Sequence, residues 1–363
     1  MAKRLQSDRI LFGVVVGLVL FGALMVFSAS AVMAAEHYDN GNYFLIRQLI
    51  WAAAGMIALV FLMYTDYRRL ASPLVVFPAL ALECILLVVV LFVHPTNYAH
   101  RWFHLGMASF QPSEFAKIIL VLFLAFFLDL RKGEVNDWKH TLTPIVLVCG
   151  VIAVLVLKEP DLGTTLALVM VLAAMLFSAG VSLRYFAVAG TLALPVLYWL
   201  VFHSTYRHNR ISAFLNPYSD PLGKGFHILQ SYIAVGTGGI AGVGLMEGKQ
   251  KLFFLPEPQT DFIFAVVGEE LGLIGALVLV AVFIVILMRG LRASAACKDY
   301  FGRLLAQGLT VMIVGQALVN MSVVLGLLPT KGIPLPFVSY GGSSLLVNLI
   351  AVGILLNISQ QAS

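Results

Sequence analysis

Residues 251–272 read KLFFLPEPQTDFIFAVVGEELG, and the chain continues as LIGALVLVAVFIVILM to Met288. The stretch opens on aromatic residues, turns through two prolines and meets a lone acid, Asp261. From Phe262 it is apolar for longer than the roughly 20 residues that a helix needs to cross hydrocarbon. Within that run the only charges are Glu269 and Glu270. Ionisable groups at the edge of hydrocarbon are costly to hold, which makes all three acids functional-site candidates.

The same apolar signal recurs along the whole chain. Hydrophobic residues make up 60% of the 363 positions and charged residues 11%, far from the mix of a soluble domain. Ten runs are long enough to be spans: Ile10–Ala35, Phe44–Tyr64, Pro73–Val93, Pro112–Leu130, Leu142–Leu157, Thr164–Ala179, Tyr185–Phe202, Phe262–Met288, Leu304–Leu327 and Gly341–Ile358. The first is longer than a signal-peptide core of roughly 7–15 residues, so it reads as a retained span despite Ala29-Ser30-Ala31. The predicted fold is an all-α integral membrane protein, one polytopic domain over 1–363. Its largest loop, 203–260, lies between helices seven and eight.

Ten spans put both termini on one side. With the N-terminus inside, thirteen basic residues fall on inner segments, Arg68, Arg69, Arg131 and Lys132 among them; the short outer loops and nearby span ends hold only Arg47, Arg101, Lys117, Lys158 and Lys331. The positive-inside rule therefore makes both termini cytoplasmic and the loop 203–260 extracytoplasmic. Asp261, KEPDLG at 158–163, RWFHLG at 101–106 and SYGGSS at 339–344 then share the outer face. No basic, aromatic-interleaved patch suits a nucleic acid. Cys84, Cys149 and Cys297 form no disulfide framework. His94, His100, His104, His203, His208 and His227 lack the spacing of a zinc site, so no metal ligands are assigned.

Each unusual group has a structural and a chemical reading. Asp261 sits where a loop becomes a helix, so it either caps that helix, with its pKa lowered, or serves as a base with its pKa raised. Phe253, Phe254, Phe262 and Phe264 are the residues that could desolvate it. Glu269 and Glu270 point about 100° apart, so at most one faces the same groove as Asp261. They are either part of a carboxylate pair or the partner of a cation. Glu114 and Lys117, three apart on one span, either neutralise each other or leave Lys117 for a phosphate. Ser339, Gly341, Gly342 and Ser343 enter the last span, where small residues favour helix packing and free N–H groups could cradle an anion. Gly248-Lys249-Gln250 is no Walker loop, because Val243 and Gln250 replace the required Gly and Ser or Thr.

Taken together, RWFHLG…FQPSE at 101–114, KEPDLGT at 158–164, LPEPQTDFIFAVVGEELG at 255–272 and GIPLPFVSYGGSS at 332–344 resemble the SEDS family (shape, elongation, division and sporulation). Pro258, Gly268 and LLPTKGIPLPF are more similar to its division branch than to its elongation branch. Gln259 departs from the histidine common before the Thr-Asp pair. The resemblance implies a peptidoglycan glycosyltransferase of the bacterial cytoplasmic membrane that polymerises lipid II at the septum, with Asp261 as catalytic aspartate. It also implies a class B penicillin-binding transpeptidase and other division proteins as partners, and lipid II with its polyprenyl tail as ligand. The leaving lipid diphosphate needs cations, for which Arg101, Lys117, Lys158, Arg210 and Lys249 are candidates. No cofactor is required, though Mg2+ or Mn2+ could assist. Two rivals follow from the same residues. One is a lipid II flippase using Glu83, Glu114, Lys117 and Asp129 as a polar path; the other is a scaffold that only positions the transpeptidase.

Overall fold

The computed structural model describes residues 7–93, 101–105, 108–203, 205–252, 254–255, 257–330 and 332–361. Of the residues singled out above, His94, His100, Phe253 and Lys331 lie outside them. The elements run α1 (Arg9–Tyr38), α2 (Tyr43–Met63), α3 (Pro73–Val90), β1 (Phe103–Leu105), β2 (Ala108–Phe110), α4 (Pro112–Leu130), α5 (Thr143–Lys158), α6 (Leu162–Ser178) and α7 (Leu183–Phe202). They continue with α8 (Thr205–Leu215), α9 (Phe226–Gly238), α10 (Ile263–Ala296), α11 (Tyr300–Val324) and α12 (Gly342–Gln361). Each of the ten predicted segments coincides with one long helix.

Seven of these are long and apolar enough to cross a membrane: α1, α2, α3, α5 with the preceding turn, α10, α11 and α12. The apolar stretches of α6 and α7 are shorter, and α4 carries Glu114, Lys117 and Asp129. Outward-facing side chains support a lipid surround: Ile57 is 73% exposed and Leu74 86%. Water would penalise such a shell, whereas lipid tails accept it. The innermost helices are α4, α11 and α12, with α1, α2 and α10 packed around them. Leu11, Val15, Met25 and Val26 of α1 are enclosed, so this helix is part of the core.

Local chemistry sets the helix starts. Asp8, Ser72, Asp161 and Asp299 cap α1, α3, α6 and α11, each accepting a backbone N–H of the first turn. One end of the bundle is stitched by polar contacts. Asp8 pairs with Arg289 at 2.5 Å, Tyr67 OH donates to Asp299, and Asn357 accepts the Tyr67 N–H. Asp261, Arg101, Glu159 and Ser339 lie at the other end.

Two connecting segments carry structure beyond the expectation. Within the α-helical bundle, a short hairpin pairs Phe103 with Phe110 and Leu105 with Ala108, so part of the RWFHLG segment is extended. The region 203–260 is also not simply a loop, since α8 and α9 stand within it. Their helical repeats are short and mixed with polar residues, which hides them from a hydropathy reading.

Candidate active site

Asp261 lies one residue ahead of α10's flanking residue, Phe262, and no side chain caps this helix. The capping alternative is therefore not realised. The Asp261 carboxylate faces a cavity of about 500 Å³ lined by Arg210, Lys224, His227, Glu257, Phe262 and Gly332, with Asn209, Gly223 and Thr330. Burial comes first in pushing its pKa up to about 7, and the charge of Glu257 adds to it; Arg210 acts in the opposite direction. Phe262 supplies part of the apolar wall, Phe264 is buried, and Phe254 points largely to the outside. A carboxyl with this pKa can accept a proton near neutral pH.

The loop holding Asp261 is fixed by buried polar groups. Asn320 of α11 donates through its amide to the carbonyls of Asp261 at 2.9 Å and Ile333 at 2.7 Å. Ser339 Oγ donates to the Thr260 carbonyl at 2.5 Å and accepts the Leu335 N–H. Tyr340 N–H donates to the Gln259 carbonyl, and Gln48 reaches the Ser339 carbonyl. Gly332 completes the floor: a Cβ there would sit 3.0 Å from Asp261 Oδ2, so a side chain would crowd the carboxylate.

The other candidates divide. Arg210 shares the Asp261 cavity, its Nη1 donating to the Thr330 carbonyl at 3.0 Å. Arg101 bonds the carbonyls of Glu159 and Pro160 at 2.8 and 2.5 Å, which clamps the KEPDLG turn. Asp161 of that turn caps α6 and accepts from Gln111. Glu159, fully buried beside Asp161, has its pKa pushed up to about 8, chiefly by burial. Lys158 closes α5 and is not part of the cavity wall.

Lys117 is likewise absent from that wall. It is buried, pairs with Glu114 at 2.9 Å and donates to Gln316 Oε1 at 2.6 Å. Gln316 in turn donates to the Pro334 carbonyl at 2.8 Å, so the pair acts as a strut beneath the 332–339 loop. Lys249 is exposed and lines a separate cavity of about 330 Å³ with Ser28, Val32 and Met246.

Glu269 and Glu270 do not form a glycosidase-like pair with Asp261. Glu269 accepts the N–H groups of Lys249 and Gln250, and Glu270 pairs with Lys251 at 2.6 Å while accepting from Ser28. Both fasten the 246–251 segment to the bundle. Gly272, with φ 65°, then kinks α10 where its backbone meets Ile240 and Gly242. Ser343 Oγ accepts the Gln111 N–H and donates to Ser109 O, and Gly342 lies against the Trp51 indole. Those two therefore pack the last helix, while Gly341 is unobstructed.

Lys224, Glu257, Asn320 and Gln316 escaped sequence reasoning, and His227 had been weighed only as a zinc ligand. Gln316 and Asn320 carried a signal: they stand four apart, on one face of an apolar helix. Among the described residues, no group of three or more His, Cys, Asp or Glu side chains could hold a metal ion. Asp261 and Glu257 are the two carboxylates of the cavity wall.

Known proteins share this arrangement over nearly the whole chain. Residues 8–363 match the family of cell cycle proteins designated FTSW_RODA_SPOVE. The chain is 48% identical to the probable peptidoglycan glycosyltransferase FtsW of Trichlorobacter lovleyi, across 98% of this chain and 93% of that protein. It is 41% identical to the stage V sporulation protein E of Bacillus subtilis, across 99% and 98%. A solved structure described as coordinating polymerization and crosslinking in a peptidoglycan synthase complex superposes with a TM-score of 0.80 at 30% identity, across 98% of both chains. The crystal structure of Thermus thermophilus RodA gives 0.72 at 28% identity, across 99% of this chain and 98% of that one.

Proposed function

The chain belongs to the FtsW/RodA/SpoVE family of cell cycle proteins, and from that premise we propose that Asp261 is the base of an inverting glycosyl transfer on lipid II. The chain is a peptidoglycan glycosyltransferase of the division type. The observation that carries the assignment of Asp261 is its place in the cavity with a carboxyl held near pH 7. The acceptor's sugar hydroxyl gives its proton to the Asp261 carboxylate while its oxygen attacks the anomeric carbon of the lipid-linked donor strand. The bond from that carbon to the lipid diphosphate breaks, and the electron pair leaves with the bridging oxygen. Asn320, Ser339 and the Lys117–Gln316 strut hold Asp261 to the reacting atoms, and such positioning carries much of a catalytic rate.

The ten long helices cross the bacterial cytoplasmic membrane ten times, with both termini inside and the Asp261 cavity outside, as the distribution of basic residues favours. The likeness to a synthase complex supports a class B transpeptidase as partner, and the division-type relatives support work at the septum. Transport gains no such support, because Glu114 and Lys117, central to the flippase path, neutralise each other in a buried pair. The purified protein with its transpeptidase, reconstituted in liposomes with labelled lipid II, separates the readings. Glycan polymer is the expected product, whereas translocation of lipid II without polymer would overturn the proposal.

A further inference from the structure

We propose that Arg210, Lys224 and His227 form the diphosphate subsite for the isoprenoid-linked donor, on the wall of the cavity that faces Asp261. The inference rests on Asp261 being the base, and deepens it by assigning the leaving group's place. The cavity wall is divided in charge: Asp261 and Glu257 are acidic, while Arg210 and Lys224 are cations and His227 is a hydrogen-bond donor.

These groups come from separate elements, and the backbone or ring that carries each is fixed. Arg210 stands on α8 with its guanidinium anchored to the Thr330 carbonyl. Lys224 belongs to a tight turn in which its N–H donates to Asp220 Oδ2 at 3.1 Å and the Gly225 N–H donates to Asp220 O at 3.0 Å. His227 lies in the first turn of α9, its ring stacked near-parallel to Phe262 at 6.3 Å, beside Asp261 in sequence. Burial, then Arg210, lowers the His227 pKa, so the ring serves as a neutral N–H donor. No side chain caps α9, so the positive end of that helix, one residue from His227, is left without a side-chain acceptor.

The chemistry requires such a wall. When the anomeric carbon–oxygen bond breaks, the diphosphate gains a negative charge as Asp261 gains a proton. Arg210 and Lys224 pair with that charge as it develops, which is where electrostatic stabilisation counts most.

Full-length protein carrying Asp261→Asn, which binds without turnover, is titrated with geranylgeranyl diphosphate, geranylgeraniol and inorganic pyrophosphate. Adding Lys224→Ala or His227→Ala should each weaken geranylgeranyl diphosphate binding about tenfold, the worth of one charge-assisted or buried hydrogen bond. Inorganic pyrophosphate should compete with it, and geranylgeraniol should be indifferent to both substitutions. Both residues face the open cavity, so the variants should fold, which their melting temperatures report. Unchanged diphosphate affinity in both variants, or equal losses for the alcohol, would overturn the subsite and leave the role of Asp261 standing. Polymer formation by Asp261→Asn would instead overturn the base on which the subsite depends.

Discussion

The pH dependence of polymerisation follows from the environment of Asp261. Its carboxyl rises from the ordinary 3.8 to about 7 because burial, and then Glu257, disfavour the charged form. A general base acts only as carboxylate, so kcat/KM should climb about tenfold between pH 6 and pH 8, as the ionised fraction goes from about a tenth to about nine-tenths. Glu257→Gln removes a neighbouring negative charge, so the rising limb should move to lower pH. The stability sign runs the other way. The fold favours the protonated acid, so Asp261 begins to cost stability as pH rises above its unfolded value near 4, and the cost is complete above about 7. A shift of about three units amounts to roughly 4 kcal/mol. Asp261→Asn should therefore melt higher than the parent at pH 8 and close to it at pH 4. Initial rates on labelled lipid II between pH 5.5 and 8.5, with melting curves in detergent, test both statements. A flat profile from pH 6 to 8, or a limb unmoved by Glu257→Gln, would refute the reasoning.

Substitutions at three other places probe the supports. Lys251→Met leaves the Glu270 carboxylate buried without its cation, which should cost about 3–5 kcal/mol in thermal unfolding; Lys251→Met with Glu270→Leu should regain most of it. Asn320→Leu leaves the carbonyls of Asp261 and Ile333 without their donor, so kcat should fall about tenfold or more with little change in KM. Gly332→Ala places a methyl 3.0 Å from Asp261 Oδ2 and should lower kcat by a similar factor at unchanged melting temperature.

The long helices were legible because hydrocarbon imposes a long apolar run, as from Ile263 into the 280s with only Glu269 and Glu270 charged. Helices α8 and α9 were not, since TYRHNRISAFL and FHILQSYIAVGTG carry too few apolar residues in a row to stand out from a loop. Asp261 was visible as an unusual acid, but cap and base differ by a single position at the helix start, and a sequence fixes such boundaries only to a residue or two. Lys117 and Lys249 looked like phosphate ligands because their charge is visible in sequence and their partners are not. Gln316 lies 199 residues from Lys117, and Glu269 faces the backbone of the Lys249 segment only after α10 has formed. The Lys224 and His227 wall depends on α9 folding back beside Phe262, a long-range contact that no local pattern announces.

The central claim is that Asp261 removes the acceptor's proton. Its most direct test is the single-turnover rate of Asp261→Asn on labelled lipid II at pH 8, in the complex with its transpeptidase. Loss of a positioned general base predicts a fall of about 10²–10⁴-fold, with lipid II still bound and the melting temperature undiminished. A rate within about threefold of the parent would contradict the account.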